Sequence, residues 1–181
     1  MRLVSLLPIM AAVSSVAMIE ASAQTSGQTV ASDAGKPSAL SESYQDWTVR
    51  CASKDGRREC SLSQAQTNAN GQRVLVVELR PVDDGSLKGN LILPFGLRLQ
   101  KGATFAVDEL PPGKPATFRT CLPVGCVISL LFTDSITRSL RSGTALKVRA
   151  QSSDSDTEVP FSISLKGFNS ALERTIALSK H

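Results

Sequence analysis

The chain reads as a single, mostly β domain: a β-sandwich or partly open barrel with a short internal helix and a C-terminal helix. Three observations predict this. Short runs of alternating apolar residues recur along the sequence, turn residues separate them at regular intervals, and four cysteines fall in two close pairs, Cys51/Cys60 and Cys121/Cys126. Alternation with a period of two marks strands that bury one face. Many short strands joined by turns favour a sandwich or barrel.

The N-terminus begins Met1-Arg2, continues through an apolar stretch over 3–19, and reaches Ala21-Ser22-Ala23 before Gln24. A cationic start, an apolar middle and an Ala-x-Ala end predict a cleavable export signal over 1–23. Ser5, Pro8, Ser14 and Ser15 interrupt the apolar stretch, whereas a spanning helix needs about 20 predominantly apolar residues. No cysteine stands directly after the signal, where a lipoprotein would require one, and no transmembrane span is predicted downstream. Residues 24–43 are rich in Ser, Thr, Gly and Ala and predict a flexible leader. The folded domain is expected over 44–181, without internal repeats.

Trp47, Val49 and Cys51 alternate onto one face of a first strand, Asp55-Gly56 marks a turn, and Cys60 to Ser63 resumes the alternation. A strong strand runs over 73–80. Its core over 74–79 is apolar on both faces, as are 91–93 and Val127-Ile128. A half-exposed antiparallel strand is normally polar on one side, so either the two predicted helices or a partner is expected to cover the second face. Pro94-Phe95-Gly96 breaks the chain between 91–93 and a short strand over 97–99. Another strand is expected over 104–110, and Pro111, Pro112 and Pro115 make 111–116 a loop. Strands over 117–121 and 126–132 flank the small Cys121–Cys126 loop.

Thr133, Asp134 and Ser135 offer N-cap side chains for a helix that ends at Gly143, the expected site of a left-handed C-cap. Ile136 and Leu140, four apart, share its apolar face. Strands return over 146–150 and 159–165, the latter starting at a sheet edge because of Pro160. A closing helix capped by Asn169 or Ser170 runs to about Leu178, with Ala171, Leu172 and Ile176 as its stripe.

An even cysteine count behind an export signal predicts a disulfide framework. The simplest of three connectivities is local: Cys51–Cys60 across a hairpin and Cys121–Cys126 around a clamped reversal. Zinc ligation and thiol–disulfide catalysis fit poorly, because Cys-x-x-Cys is absent and the sole histidine is the terminal His181. No metal and no cofactor is therefore predicted. The same lack of histidine argues against Ser-His-Asp and Cys-His catalysis, and no phosphate-cradling glycine motif occurs. Asp83-Asp84 and Asp108-Glu109 are sequence neighbours, which on a strand point to opposite faces. A non-enzyme is expected.

The formal charge of +4 is scattered, and aromatic residues make up only 4% of the chain, so no nucleic-acid partner is predicted. A mildly basic surface leaves room for peripheral attachment to an anionic membrane.

Four segments together resemble the invasion-associated locus B family of exported, mainly alphaproteobacterial proteins. They are Asp46-Trp47-Thr48-Val49-Arg50-Cys51 with Cys60, Leu93-Pro94-Phe95-Gly96-Leu97, Cys121-Leu122-Pro123-Val124-Gly125-Cys126, and the stretch from Val159 to Phe168. The resemblance implies an envelope-associated, β-rich domain located in the periplasm, at the outer membrane or outside the cell. It links pathogenic members to host-cell entry and carries over no catalytic residues. The expected function is that of an exported binding protein with a protein or glycan partner in the envelope or on a host cell. Its contacts are expected at 111–116 and the Cys121–Cys126 loop, with Phe95, Pro123 and Val124 as binding residues. Two alternatives are an envelope carbohydrate-active enzyme using Asp108 or Glu109, and a structural or chaperone-like periplasmic factor.

Overall fold

The computed structural model describes residues 39–54 and 57–179. The predicted signal and most of the leader lie outside these residues, as does the Asp55-Gly56 turn. Among the described residues ten strands form two antiparallel sheets. In the larger sheet β1 (Ala39–Tyr44), β2 (Trp47–Lys54), β3 (Arg57–Thr67), β4 (Arg73–Pro81) and β5 (Leu87–Leu93) follow one another as a meander. Beyond β5 lie β8 (Gly125–Phe132) and then β7 (Phe118–Leu122). The smaller sheet is ordered β10 (Glu158–Ser164), β9 (Ala145–Gln151), β6 (Ala103–Val107). The strands do not close into a barrel.

One core joins the two sheets. Val49 faces Leu62, Leu62 faces Leu79, and Leu91 faces Ile128, so the inner face of the larger sheet is a continuous apolar layer. Leu146, Val148 and Ile163 of the smaller sheet belong to the same core. The helix α2 (Phe168–Ser179) buries Phe168, Ala171, Leu172, Thr175 and Leu178. Its Phe168 meets Trp47 edge to face, with ring centroids 5.0 Å apart.

The domain begins earlier than the composition predicts. Residues 39–43, expected in the leader, pair with β2 from Ala39↔Ala52 to Ser43↔Thr48. Leu40 and Tyr44 pack on the core, and Glu42 binds α2: Arg174 donates from Nε and Nη2 at 2.8 and 2.7 Å, and the Tyr44 hydroxyl donates at 2.9 Å. A polar strand is held by a partner 132 residues away, which local composition does not reveal.

The Arg174 hydrogen bonds, followed by that from Tyr44, hold the Glu42 carboxyl down at about 2, against 4.5 for a free glutamate. A carboxyl whose folded pKa lies below its unfolded one stabilises the fold fully above the unfolded value. That contribution is expected to fade as pH falls from about 4.5 towards 2. Glu42→Gln should flatten this acid limb in a plot of denaturation midpoint against pH; an unchanged limb would contradict the assignment.

Three further expectations are corrected. The segment 97–99 is not a strand: Leu97 makes one isolated bridge to Ser152, and a 3-10 turn follows at Leu99–Lys101. Gly143 ends α1 (Asp134–Ser142) in an extended conformation with φ of −79°, not a left-handed one. Its glycine is needed for space, since a Cβ there would sit 2.6 Å from Val107 Cγ1. The helices do not cover the second face of β4. Leu75, Val77 and Leu79 lie on the inner side with α2, while Val74 and Val76 are half-buried on the outer side, where Val76 is paired with Ile92. Other expectations are met: Thr133 caps α1, and Pro160 lies on the edge strand β10.

Cys51 faces Cys60 in the β2–β3 register with Cα atoms 4.1 Å apart, and Cys121 faces Cys126 at 3.9 Å; both pairs are bonded. Bridges closing such short loops contribute about 2 to 3 kcal/mol each through loss of unfolded-state entropy. Reduction is therefore expected to lower the unfolding temperature in a thermal scan with and without dithiothreitol. An unchanged temperature would contradict this.

Candidate functional site

Seven large apolar side chains are exposed in the described residues: Phe95, Leu99, Leu110, Leu122, Val124, Leu131 and Ile136. Six of them fall in two places, one at the tip of the larger sheet and one along its β8 margin.

The tip follows from the β5–β8 pairing. Leu93 faces Cys126, so the loop after β5 and the turn before β8 emerge side by side. Leu122 pairs with Gly125, which leaves Pro123 and Val124 as the central turn residues. Proline suits the first of these because its ring presets φ. Gly125 has φ of +132°, and a Cβ there would approach Leu93 O to 2.5 Å, so the close strand contact requires glycine. The Cys121–Cys126 bond clamps the turn from below. Phe95 is 60% exposed and Val124 55% exposed. A shallow hollow lined by Val74, Val76, Ile92, Pro94 and Val124 continues this apolar surface onto the outer face. The three predicted binding residues thus lie on neighbouring loops. Pro123 shapes the turn, while Phe95 and Val124 present side chains to solvent.

The second place is a groove of about 340 Å³ lined by Phe105, Val107, Leu110, Leu131, Phe132 and Ile136, among others. It arises from a change of sheet. β7 pairs with β8 only as far as Phe118↔Ile128, and just before this the chain is bound to the other sheet, with Ala116 bridging Ala103. The two residues exchange both backbone hydrogen bonds, at 2.9 and 2.8 Å. β8 therefore continues through 129–132 without β7 beside it. Phe105 and Phe132 meet edge to face in the groove wall, with centroids 6.2 Å apart. Leu131, 70% exposed, stands on the rim with Leu110 and Ile136.

The predicted contact loop 111–116 supplies Pro111, Gly113, Lys114 and Ala116 to this groove. Leu131 and Ile136 were not anticipated as site residues. The two-sided apolar character of β8 was the only sequence signal for Leu131. Ile136 was expected to share a buried face with Leu140; Leu140 is buried and Ile136 is not.

The acidic candidates are engaged in turns. Asp108, at φ of +49°, accepts from Thr144 N, Thr144 Oγ1 at 2.5 Å and Ala145 N at 2.9 Å. The Thr144 side-chain bond, with the two backbone bonds behind it, lowers its pKa. Glu109 pairs with Lys147 at 2.5 Å. Asp84 accepts from Ser86 N, and its hydrogen bonds with Ser86 lower its pKa as well. Among the described residues no three His, Cys, Asp or Glu side chains are grouped to hold a metal, and no helix is long and apolar enough to cross a membrane.

A family model described as Invasion associated locus B (IalB) protein matches residues 47–175. An invasion protein B homolog of Brucella abortus is 45% identical over 147 residues, covering 81% of this chain and 84% of that protein. Invasion protein B of Bartonella bacilliformis is 31% identical over 145 residues, covering 79% and 78% respectively. The crystal structure of invasion associated protein b from Bartonella henselae superposes with a TM-score of 0.74 at 30% identity. It covers 78% of this chain and 97% of that one.

Proposed function

The chain belongs to the invasion-associated locus B family, and on that footing we propose that it is an exported, non-enzymatic binding protein of the cell envelope. Its partner is a protein or a glycan, in the envelope or on a host cell. One observation carries the reading: exposed apolar side chains are gathered at the β7–β8 tip and along the β8 groove, instead of being scattered singly. Contiguous exposed apolar surface marks interaction sites in soluble proteins, and rigid scaffolds present such sites on their loops. The two disulfides support a location outside the reducing cytosol. Contact with host cells is supported by the names of the relatives.

The carbohydrate-active alternative gains no support from the acids. Both Asp108 oxygens already accept backbone or hydroxyl hydrogens, and its lowered pKa is the reverse of what a general acid needs. The purified, oxidised protein should bind saturably to one of the protein, lipid or polysaccharide fractions of the envelope or of host-cell surfaces, in surface plasmon resonance. Leu131→Asp or Val124→Asp should weaken that binding at least about tenfold, as expected for central apolar contacts. Release of cleaved products from any fraction, abolished by Asp108→Asn, would overturn the proposal.

A further inference from the structure

Four consecutive residues of β8, from Ser129 to Phe132, border the groove. Successive side chains of a strand point to opposite faces. One cavity touches all four only if it runs along the edge of the strand, where backbone N–H and C=O groups emerge. On the other side these residues pair with β5, from Asn90↔Ser129 to Leu87↔Phe132. On the groove side β7 has already left, its last pair being Phe118↔Ile128. An open strand edge is a template for another strand, and here it is open because the preceding chain crosses to β6 at Ala116.

We propose that the groove receives an extended polypeptide segment that adds as a strand to β8 over 129–132, with apolar side chains at alternate positions and a carboxylate near Lys114. The inference rests on the binding reading above and names the chemistry of the partner. The inner wall, Phe105, Val107 and Phe132, suits alternate apolar side chains. Four residues of strand offer about 13 Å of pairing length, and a groove of about 340 Å³ is of ligand-site size. Among the described residues Lys114 is the only charged side chain in the lining and makes no ion pair or hydrogen bond, so the groove they form carries one uncompensated positive charge. A peptide's terminal carboxylate or an acidic side chain complements it. A fatty acid would match the apolar wall and Lys114 but would leave the β8 edge without partners, which favours the peptide.

The test uses the full oxidised chain and hexapeptides alternating threonine with valine, leucine or phenylalanine, each with a free C-terminal carboxylate. At least one is expected to bind and to slow amide hydrogen exchange at alternate residues within 129–132. N-methylation of one alternate set of its amides should weaken binding about tenfold, through loss of the edge hydrogen bonds, and methylation of the other set should not. Lys114→Met should reduce the affinity of the carboxylate peptide to that of its C-terminal amide. The proposal is overturned if no peptide protects 129–132, if neither methylated set differs from the parent, or if decanoate competes the peptide away at equal concentration. Such a failure, with envelope binding still lost in Leu131→Asp, removes the added strand and leaves the binding function. Loss of both removes both.

Discussion

Trp47→Ala is expected to destabilise the domain by about 3 to 5 kcal/mol, the range for deleting a large buried aromatic side chain. Trp47 is 1% exposed, and its indole is held on both sides. The ring packs edge to face on Phe168, and Nε1 donates to Ser164 O at 2.8 Å. Ser164 O also accepts from Gln64 Nε2 at 2.9 Å. One carbonyl at the end of β10 thus gathers β2 and β3, while the same indole seats α2. Alanine empties the junction of both sheets and the helix. Trp47→Phe retains most of the packing but loses the donor, so its cost should fall well below that of alanine. Denaturant unfolding measures both. A loss below about 1 kcal/mol for alanine would mean that the junction collapses readily around the gap.

Gly167→Ala is expected to be strongly destabilising. Gly167 sits at φ of +81°, and an added Cβ would lie 2.0 Å from Tyr44 O and 3.1 Å from Gln45 Cβ. The left-handed conformation alone costs a non-glycine residue about 1 to 2 kcal/mol. The clash adds to this because the obstructing atom is backbone, at the β1–β2 turn where Gln45 itself has φ of 53°. Relief requires the β10–α2 connection to lift off that turn, which carries Phe168 away from Trp47. Gly71→Ala is the control. It shares a positive φ of +74° but has open space around its Cβ, so only the conformational cost should appear. Equal unfolding midpoints for the two variants would contradict the steric account.

Much of the fold was legible because it is written in local periodicity. Trp47, Val49 and Cys51 alternate, and all three are buried. Thr133 caps α1 as its chemistry predicts, and the cysteine pairs sit at hairpin spacings. What escaped depends on distant partners. β1 looks like leader until Arg174 meets Glu42. The apolar outer residues of β4 suggested covering helices, yet their neighbour is Ile92 of the adjacent strand, on the same outer face. The candidate site divides in the same way. Phe95, Pro123 and Val124 stood out because Pro and Gly announce exposed turns. The groove did not, because it is made by one chain crossing at Ala116, and nothing near Leu131 in sequence signals that β7 stops short of it.

Site-specific photo-crosslinking in intact cells exporting the protein tests the binding account most directly. Benzoylphenylalanine is placed at Leu131, at Val124 and, as a control, at exposed Ser155 beyond both apolar surfaces. The account predicts a discrete crosslinked partner from Leu131 or Val124 that is absent from Ser155. Identical patterns from all three positions, or no adduct from either apolar surface, would contradict it.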